Sequence, residues 1–261
     1  MTSYPGPRPM TQLPVRRVEV SSQSEFTSQT WPGTVPAVRA LAEDGLDLGG
    51  LTILVGENGS GKSTLVEAVA QAFGMPSGGG SALARYGTTR DTDEDDVPFE
   101  PNESPLWKYL QLKRGVGGSR WGFFLRAETM HGFYSYLSDN PGREDVRFHE
   151  MSHGESFIQL LDSRFGDDGF YVLDEPESAL SFTGSLALVG VLSRIASTGR
   201  AQALVATHSP IIAAVPGAQI IEVGEWGLRR SSWQDLELVR NWRSFLDAPE
   251  RFLRHLDPEW P

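Results

Sequence analysis

The sequence predicts an α/β fold, a central sheet flanked by helices, and three segments carry that expectation. The apolar run Leu51-Thr52-Ile53-Leu54-Val55 passes through a glycine-rich loop into a helical pattern that starts near Lys62. Phe170-Tyr171-Val172-Leu173 and Leu204-Val205-Ala206 are two further short apolar runs, each closed by polar residues. Runs of this length bounded by polar turns suit strands buried within a sheet.

Residues 1–24 are rich in Pro, Ser and Thr without apolar periodicity and read as a flexible N-terminal tail, ahead of a single domain over 25–261. After the first strand, Gly56-Glu57-Asn58-Gly59-Ser60-Gly61-Lys62-Ser63-Thr64 has the spacing of a phosphate-binding P-loop. Its glycines let the backbone curl until N–H groups point inward, and the first turn of the following helix adds unpaired donors and partial positive charge. Lys62 is then placed to reach the β- and γ-phosphates of a nucleoside triphosphate, and the Ser63 hydroxyl is the expected Mg²⁺ ligand. Lys62, Lys108 and Lys113 are the only lysines, so none in the loop can replace Lys62.

Met75 to Pro105 holds Gly78-Gly79-Gly80 and the acidic run Asp91 to Asp96, and reads as a long mobile loop. Residues of about 104–164 are expected to hold a helical lobe, with the strand-like Gly122-Phe123-Phe124-Leu125-Arg126 leading to Glu128. Glu128 reads equally as a ligand of Mg²⁺ or its water and as a polar residue leaving the sheet. The next buried run ends in Asp174-Glu175-Pro176-Glu177. Two acids at a strand end suit a metal and a water: Asp174 for Mg²⁺, Glu175 for orienting or deprotonating the attacking water. Leu204-Val205-Ala206-Thr207-His208-Ser209-Pro210 ends a strand in a histidine. Ile220-Ile221-Glu222-Val223 suggests a final strand, and about 233–257 an amphipathic helical tail whose apolar face, including Trp242, Phe245 and Leu246, is expected to pack on the core, with a partner-docking face as the alternative.

The order of motifs is more specific than any one of them. A P-loop, Met151-Ser152-His153-Gly154-Glu155-Ser156 opening a helix, the Asp-Glu strand, the small-residue loop Ser178-Ala179-Leu180-Ser181 and the strand-end His208 together resemble the ABC-type ATPases over Leu51 to Pro210. Asp-Glu-Pro-Glu and Thr-His-Ser-Pro are more narrowly similar to soluble ATPases often labelled AAA family, relatives of the chromosome-maintenance and DNA-repair ABC ATPases. The resemblance implies a P-loop NTPase with ABC-ATPase-like architecture: a mixed central sheet flanked by helices, with a reduced helical lobe and early strands between Phe26 and Leu51. It also implies ATP and Mg²⁺ as cofactors and an ATP-dependent head-to-tail homodimer. Ser152, His153, Gly154 and Glu155 of one copy would then cover the γ-phosphate held by the other, His208 would sense that phosphate, and Arg39 would contact the nucleotide.

Three positions depart from the family pattern. The signature reads Ser-His-Gly-Glu rather than Ser-Gly-Gly-Gln, Ser181 stands where transport cassettes place an aspartate, and the usual strand-end glutamine is missing, with Glu128 nearest to it.

Composition narrows the function further. The formal charge of −11 opposes broad, nonspecific capture of nucleic acid by the whole surface. The absence of cysteine excludes disulfides and thiolate metal sites. Apolar runs fall well short of the roughly 20 residues that span a bilayer, and Met1 to Pro7 lack an apolar signal core, so cytoplasmic residence without stable membrane insertion is the expectation. The chain lacks the Asn-Lys-x-Asp guanine-recognition pattern. The resulting expectation is an ATPase acting as a switch or clamp on DNA or a co-encoded effector protein, with the ATP-binding subunit of a membrane transporter as the alternative.

Overall fold

A computed structural model describes residues 12–81, 104–126, 168–178, 180–199 and 201–254. In chain order these begin with β1 (Arg17–Val20), α1 (Pro36–Asp44), β2 (Leu46–Asp47), β3 (Leu51–Val55), α2 (Lys62–Phe73), β4 (Gly80–Ser81), β5 (Leu110–Lys113) and β6 (Gly122–Arg126). They continue with β7 (Phe170–Asp174), α3 (Phe182–Thr198), β8 (Gln202–Thr207), β9 (Gln219–Gly224), β10 (Gly227–Arg230), α4 (Glu237–Asp247) and α5 (Glu250–Leu253).

Among the described residues the larger sheet has the order β10-β9-β3-β8-β7-β6-β4. Its five central strands are parallel, and β10 and β4 pair antiparallel at the edges. The sheet is therefore mixed, as expected. Alternation along each strand sends side chains to two separate cores, because successive residues face opposite sides of a sheet. Leu54, Val172, Leu204 and Ile221 face α1 and α2, while Ile53, Val55, Leu173 and Val205 face α3. Burial on both faces explains why these strands read as unbroken apolar runs.

The segment expected as a tail is part of the fold from Leu13 onward. β1 pairs antiparallel with β2 and β5 in a three-stranded sheet, and Leu13, Val15 and Val18 are buried. The buried Gln202 side chain fastens this segment to β8. It accepts from the Val15 N–H at 2.9 Å and donates to the carbonyls of Val15 and Gly49 at 2.6 and 2.9 Å.

Four further expectations are corrected. Between Phe26 and Leu51 the chief element is helix α1, which starts at Pro36, and the only strand there is the two-residue β2. Residues 104–126 form a short 3-10 turn and strands β5 and β6 rather than a helical lobe; the remainder of that lobe lies outside the described residues. Gly80 and Ser81 of the expected mobile loop pair with Phe124 and Phe123, and 82–103 lie outside the described residues. In the C-terminal tail, Leu236 and Val239 are buried, but Trp242, Phe245, Leu246 and Phe252 are exposed. α4 therefore touches the core mainly through its first turn.

Candidate functional site

Parallel strands end on one edge of the sheet, and their register decides which residues meet there. Val55, ending β3, pairs with Thr207, ending β8; Ala206 pairs with Asp174, ending β7; and Arg126, ending β6, pairs with Asp174. The glycine-rich loop, the acidic turn and the histidine turn thus share the edge at which open α/β sheets receive ligands.

The loop curves tightly because two positions admit only glycine. Gly61 caps α2 with φ of 98°, and a Cβ there would fall 2.6 Å from Val35 Cγ1. Gly56 lies so close to β9 that a Cβ would be 2.3 Å from the Val223 carbonyl oxygen. Glu57, Asn58 and Gly59 form the exposed tip, and Ser60 N–H donates to the Glu57 carbonyl at 3.2 Å. Ser63 and Thr64 lie in the first turn of α2.

Lys62 is buried, and its Nζ donates to the Glu57 carbonyl at 2.8 Å while standing 3.9 Å from Glu175 Oε1. Burial pulls its pKa below the ordinary lysine value, against the opposing pull of Glu175 and Asp174. Ser63 Oγ donates to Asp174 Oδ1 at 3.0 Å, joining residues 111 positions apart. Burial pushes the Asp174 carboxyl up to about 6; the Ser63 hydrogen bond and the Arg126 cation act the other way. Arg126 is held at 3.7 Å by Glu67 Oε2 of α2, whose Oε1 accepts from Gln71 at 3.1 Å.

Glu175 leaves the strand with φ of 50°, a left-handed conformation that costs a non-glycine residue about 1–3 kcal/mol and gathers at functional sites. Its N–H donates to the Ala206 carbonyl at 2.9 Å, and its carbonyl accepts from the N–H and hydroxyl of Ser178. The carboxylate so fixed lies between Lys62 and His208, with Oε1 3.4 Å from His208 Nδ1. The structure therefore gathers Lys62, Ser63, Asp174, Glu175 and His208. Arg39 is exposed on α1, whose first turn packs against Gly61. Ser152, His153, Gly154, Glu155 and Glu128 lie outside the described residues.

Three features escaped the sequence reading. Glu177 is buried and accepts from the Thr207 hydroxyl and the His208 N–H; the signal was an acid three residues past a buried strand's final aspartate. Arg126 faces Asp174 only through strand pairing. A cleft of about 490 Å³ beside the loop is lined by Gly56 to Ser60, Glu222, Trp226 and Glu237 and has no local sequence signal.

The donor set fits Mg²⁺ held with a triphosphate. A hydroxyl and a buried carboxylate 3.0 Å apart are hard oxygen ligands, and the raised Asp174 carboxyl is short of compensating positive charge. Among the described residues no three acidic or histidine side chains form a metal cage. Mg²⁺ takes one or two protein oxygens and completes its shell with phosphate and water.

Two family models and two curated relatives match parts of the chain. Residues 91–214 match the family model described as "AAA domain, putative AbiEii toxin, Type IV TA system", and residues 40–103 match one described as "AAA domain". The chain is 28% identical over 170 residues to the Zinc import ATP-binding protein ZnuC of Paracoccus denitrificans, covering 63% of this chain and 61% of that protein. It is 27% identical over 183 residues to the Ribose import ATP-binding protein RbsA of Roseobacter denitrificans, covering 64% of this chain and 35% of that protein. The chain thus spans about three fifths of one relative and about a third of the other. The SMC head domain from Thermotoga maritima aligns at a TM-score of 0.44 and 16% identity, over 84% of this chain and 100% of that one. The glycine-rich loop and the sheet edge have the geometry of a P-loop nucleotide-binding site, and the two matched models describe AAA domains. No helix among the described residues is long and apolar enough to cross a membrane.

Proposed function

We propose that this chain binds and hydrolyses Mg-ATP in the cytoplasm, dimerises head to tail on ATP, and acts as a switch or clamp on DNA or a partner protein. One observation carries the hydrolytic reading: Glu175 is fixed between the buried ammonium of Lys62 and the ring of His208, beside the Ser63–Asp174 pair. Lys62 would exchange the Glu57 carbonyl for β- and γ-phosphate oxygens. Ser63 and Asp174 would hold Mg²⁺, which neutralises charge on those phosphates. Glu175 would accept the proton of the attacking water, and His208 would hold that water and the γ-phosphate in line.

The loop glycines, the acidic turn and the histidine turn come from one copy. The Ser152 to Glu155 signature would come from the second copy, making ATP the adhesive and hydrolysis the release. The matched description that names a toxin–antitoxin system is in keeping with an effector partner. The experiment is phosphate release from Mg-ATP by wild type and Glu175→Gln. We expect wild-type turnover with a loss of about 10²–10⁴-fold in the variant; transfer of phosphate to an acceptor other than water contradicts the reading.

A second reading, the energising subunit of a membrane transporter, is favoured by the printed names of the two curated relatives. Co-purification with a membrane permease, with turnover stimulated by it, supports that alternative.

A further inference from the structure

We propose that Glu177 is the positioning residue for His208, tying the histidine turn to the turn that carries Glu175; this rests on the hydrolytic role of His208 proposed above. A buried carboxylate is costly unless its oxygens are hydrogen-bonded. Glu177, 8% exposed, directs Oε1 at two consecutive residues where β8 ends. That oxygen accepts from the Thr207 hydroxyl and, at 2.9 Å, from the His208 N–H, and lies 3.6 Å from His208 Nδ1. The Thr207 hydroxyl accepts in turn from Ser209 N–H at 2.9 Å, and Ser209 Oγ from Ile211 N–H at 3.2 Å. One carboxylate oxygen therefore holds both the last residue of β8 and the backbone of His208.

At its other end, Glu177 belongs to the turn of the proposed base. Ser178 N–H closes onto the Glu175 carbonyl at 3.1 Å, and Leu180 N–H onto the Glu177 carbonyl at 2.8 Å. The 3.4 Å separation of Glu175 Oε1 and His208 Nδ1 is thus set by two turns that the Glu177 side chain links. Oε2 makes no hydrogen bond among the described residues, so the full load falls on Oε1. A carboxylate serving only to end a strand has no need to grip the backbone of the residue whose ring meets the base.

The test is a double-mutant cycle with Glu177→Ala and His208→Ala, read as kcat and KM for ATP. We expect each single variant to lose roughly 10²-fold in kcat, with KM for ATP within about twofold. The double variant is expected to be no slower than His208→Ala. Losses that multiply in the double variant overturn the assignment, as does wild-type kcat in Glu177→Ala beside an impaired His208→Ala. Glu177→Gln keeps an acceptor oxygen and recovers most of the kcat; Thr207→Val, which removes one donor, supplies a milder variant should Glu177→Ala fold poorly. Full turnover in His208→Ala contradicts the underlying reading instead. Independently of turnover, the His208 amide proton resonance should move upfield in Glu177→Ala, and an unmoved resonance sinks the proposal.

Discussion

Asp174 shows how one residue sets a conflict between folding and function. Its carboxyl is raised from its ordinary 3.8 to about 6 by burial, so the folded chain holds that proton more tightly than the unfolded chain does. The stability this contributes is full below pH 3.8 and is lost as pH rises through about 6. At pH 8 without Mg²⁺ the ionised group costs about 3 kcal/mol. Asp174→Asn removes that charge and keeps an acceptor for Ser63. We expect the variant, free of metal and nucleotide, to melt above wild type at pH 8 and to converge with it toward pH 4, while its phosphate release is abolished; a lower Tm at pH 8 contradicts this electrostatic account. Lys62 is the complementary case, a buried cation whose Nζ rests on the Glu57 carbonyl. Lys62→Ala should weaken ATP binding about 10–100-fold, the scale of a charge-assisted hydrogen bond, in a titration with a fluorescent ATP analogue.

Elements matter here through what they deliver to the edge of the sheet. The loop between β3 and α2 packs its first glycine on β9, so Gly56→Ala forces a methyl against the Val223 carbonyl. An overpacked site of this kind costs about 1–3 kcal/mol, and we expect calorimetry to show a lower Tm together with loss of ATP binding. Gln202→Ala acts differently, since it releases the segment around Val15 and leaves three backbone groups, two of them buried, without their partner. The expected cost is about 3 kcal/mol by chemical denaturation, with ATP affinity of the folded protein unchanged. The same two elements divide what was legible in the sequence from what was not. The strand, loop and helix over 51–73 are coded by local spacing, and β7 and β8 by apolar runs that only a sheet covered on both faces permits. β1 was missed because its four residues, Arg-Val-Glu-Val, hold too little apolar material to stand out beside a polar, proline-rich neighbourhood. Its anchor, Gln202, lies 187 positions away from Val15. Glu177 was missed for a related reason: its partners, Thr207 and His208, come from a different strand, and spacing along the chain cannot show such pairing.

At the scale of the whole molecule, the described chain presents half of the proposed site. The phosphate loop, acidic turn and histidine converge within one copy, whereas Ser152 and its neighbours are assigned to act on the ATP of a second copy. That arrangement requires the ATP-bound state to be a dimer and hydrolysis to undo it. Blocking hydrolysis at Glu175 while leaving ATP binding intact should trap that state. The most direct measurement is therefore the solution mass of Glu175→Gln by size exclusion with light scattering, with and without Mg-ATP. We expect a monomer to become a dimer on adding Mg-ATP, and Ser152→Arg in the same background to abolish the shift. A Glu175→Gln protein that binds ATP and remains monomeric contradicts the composite homodimeric site.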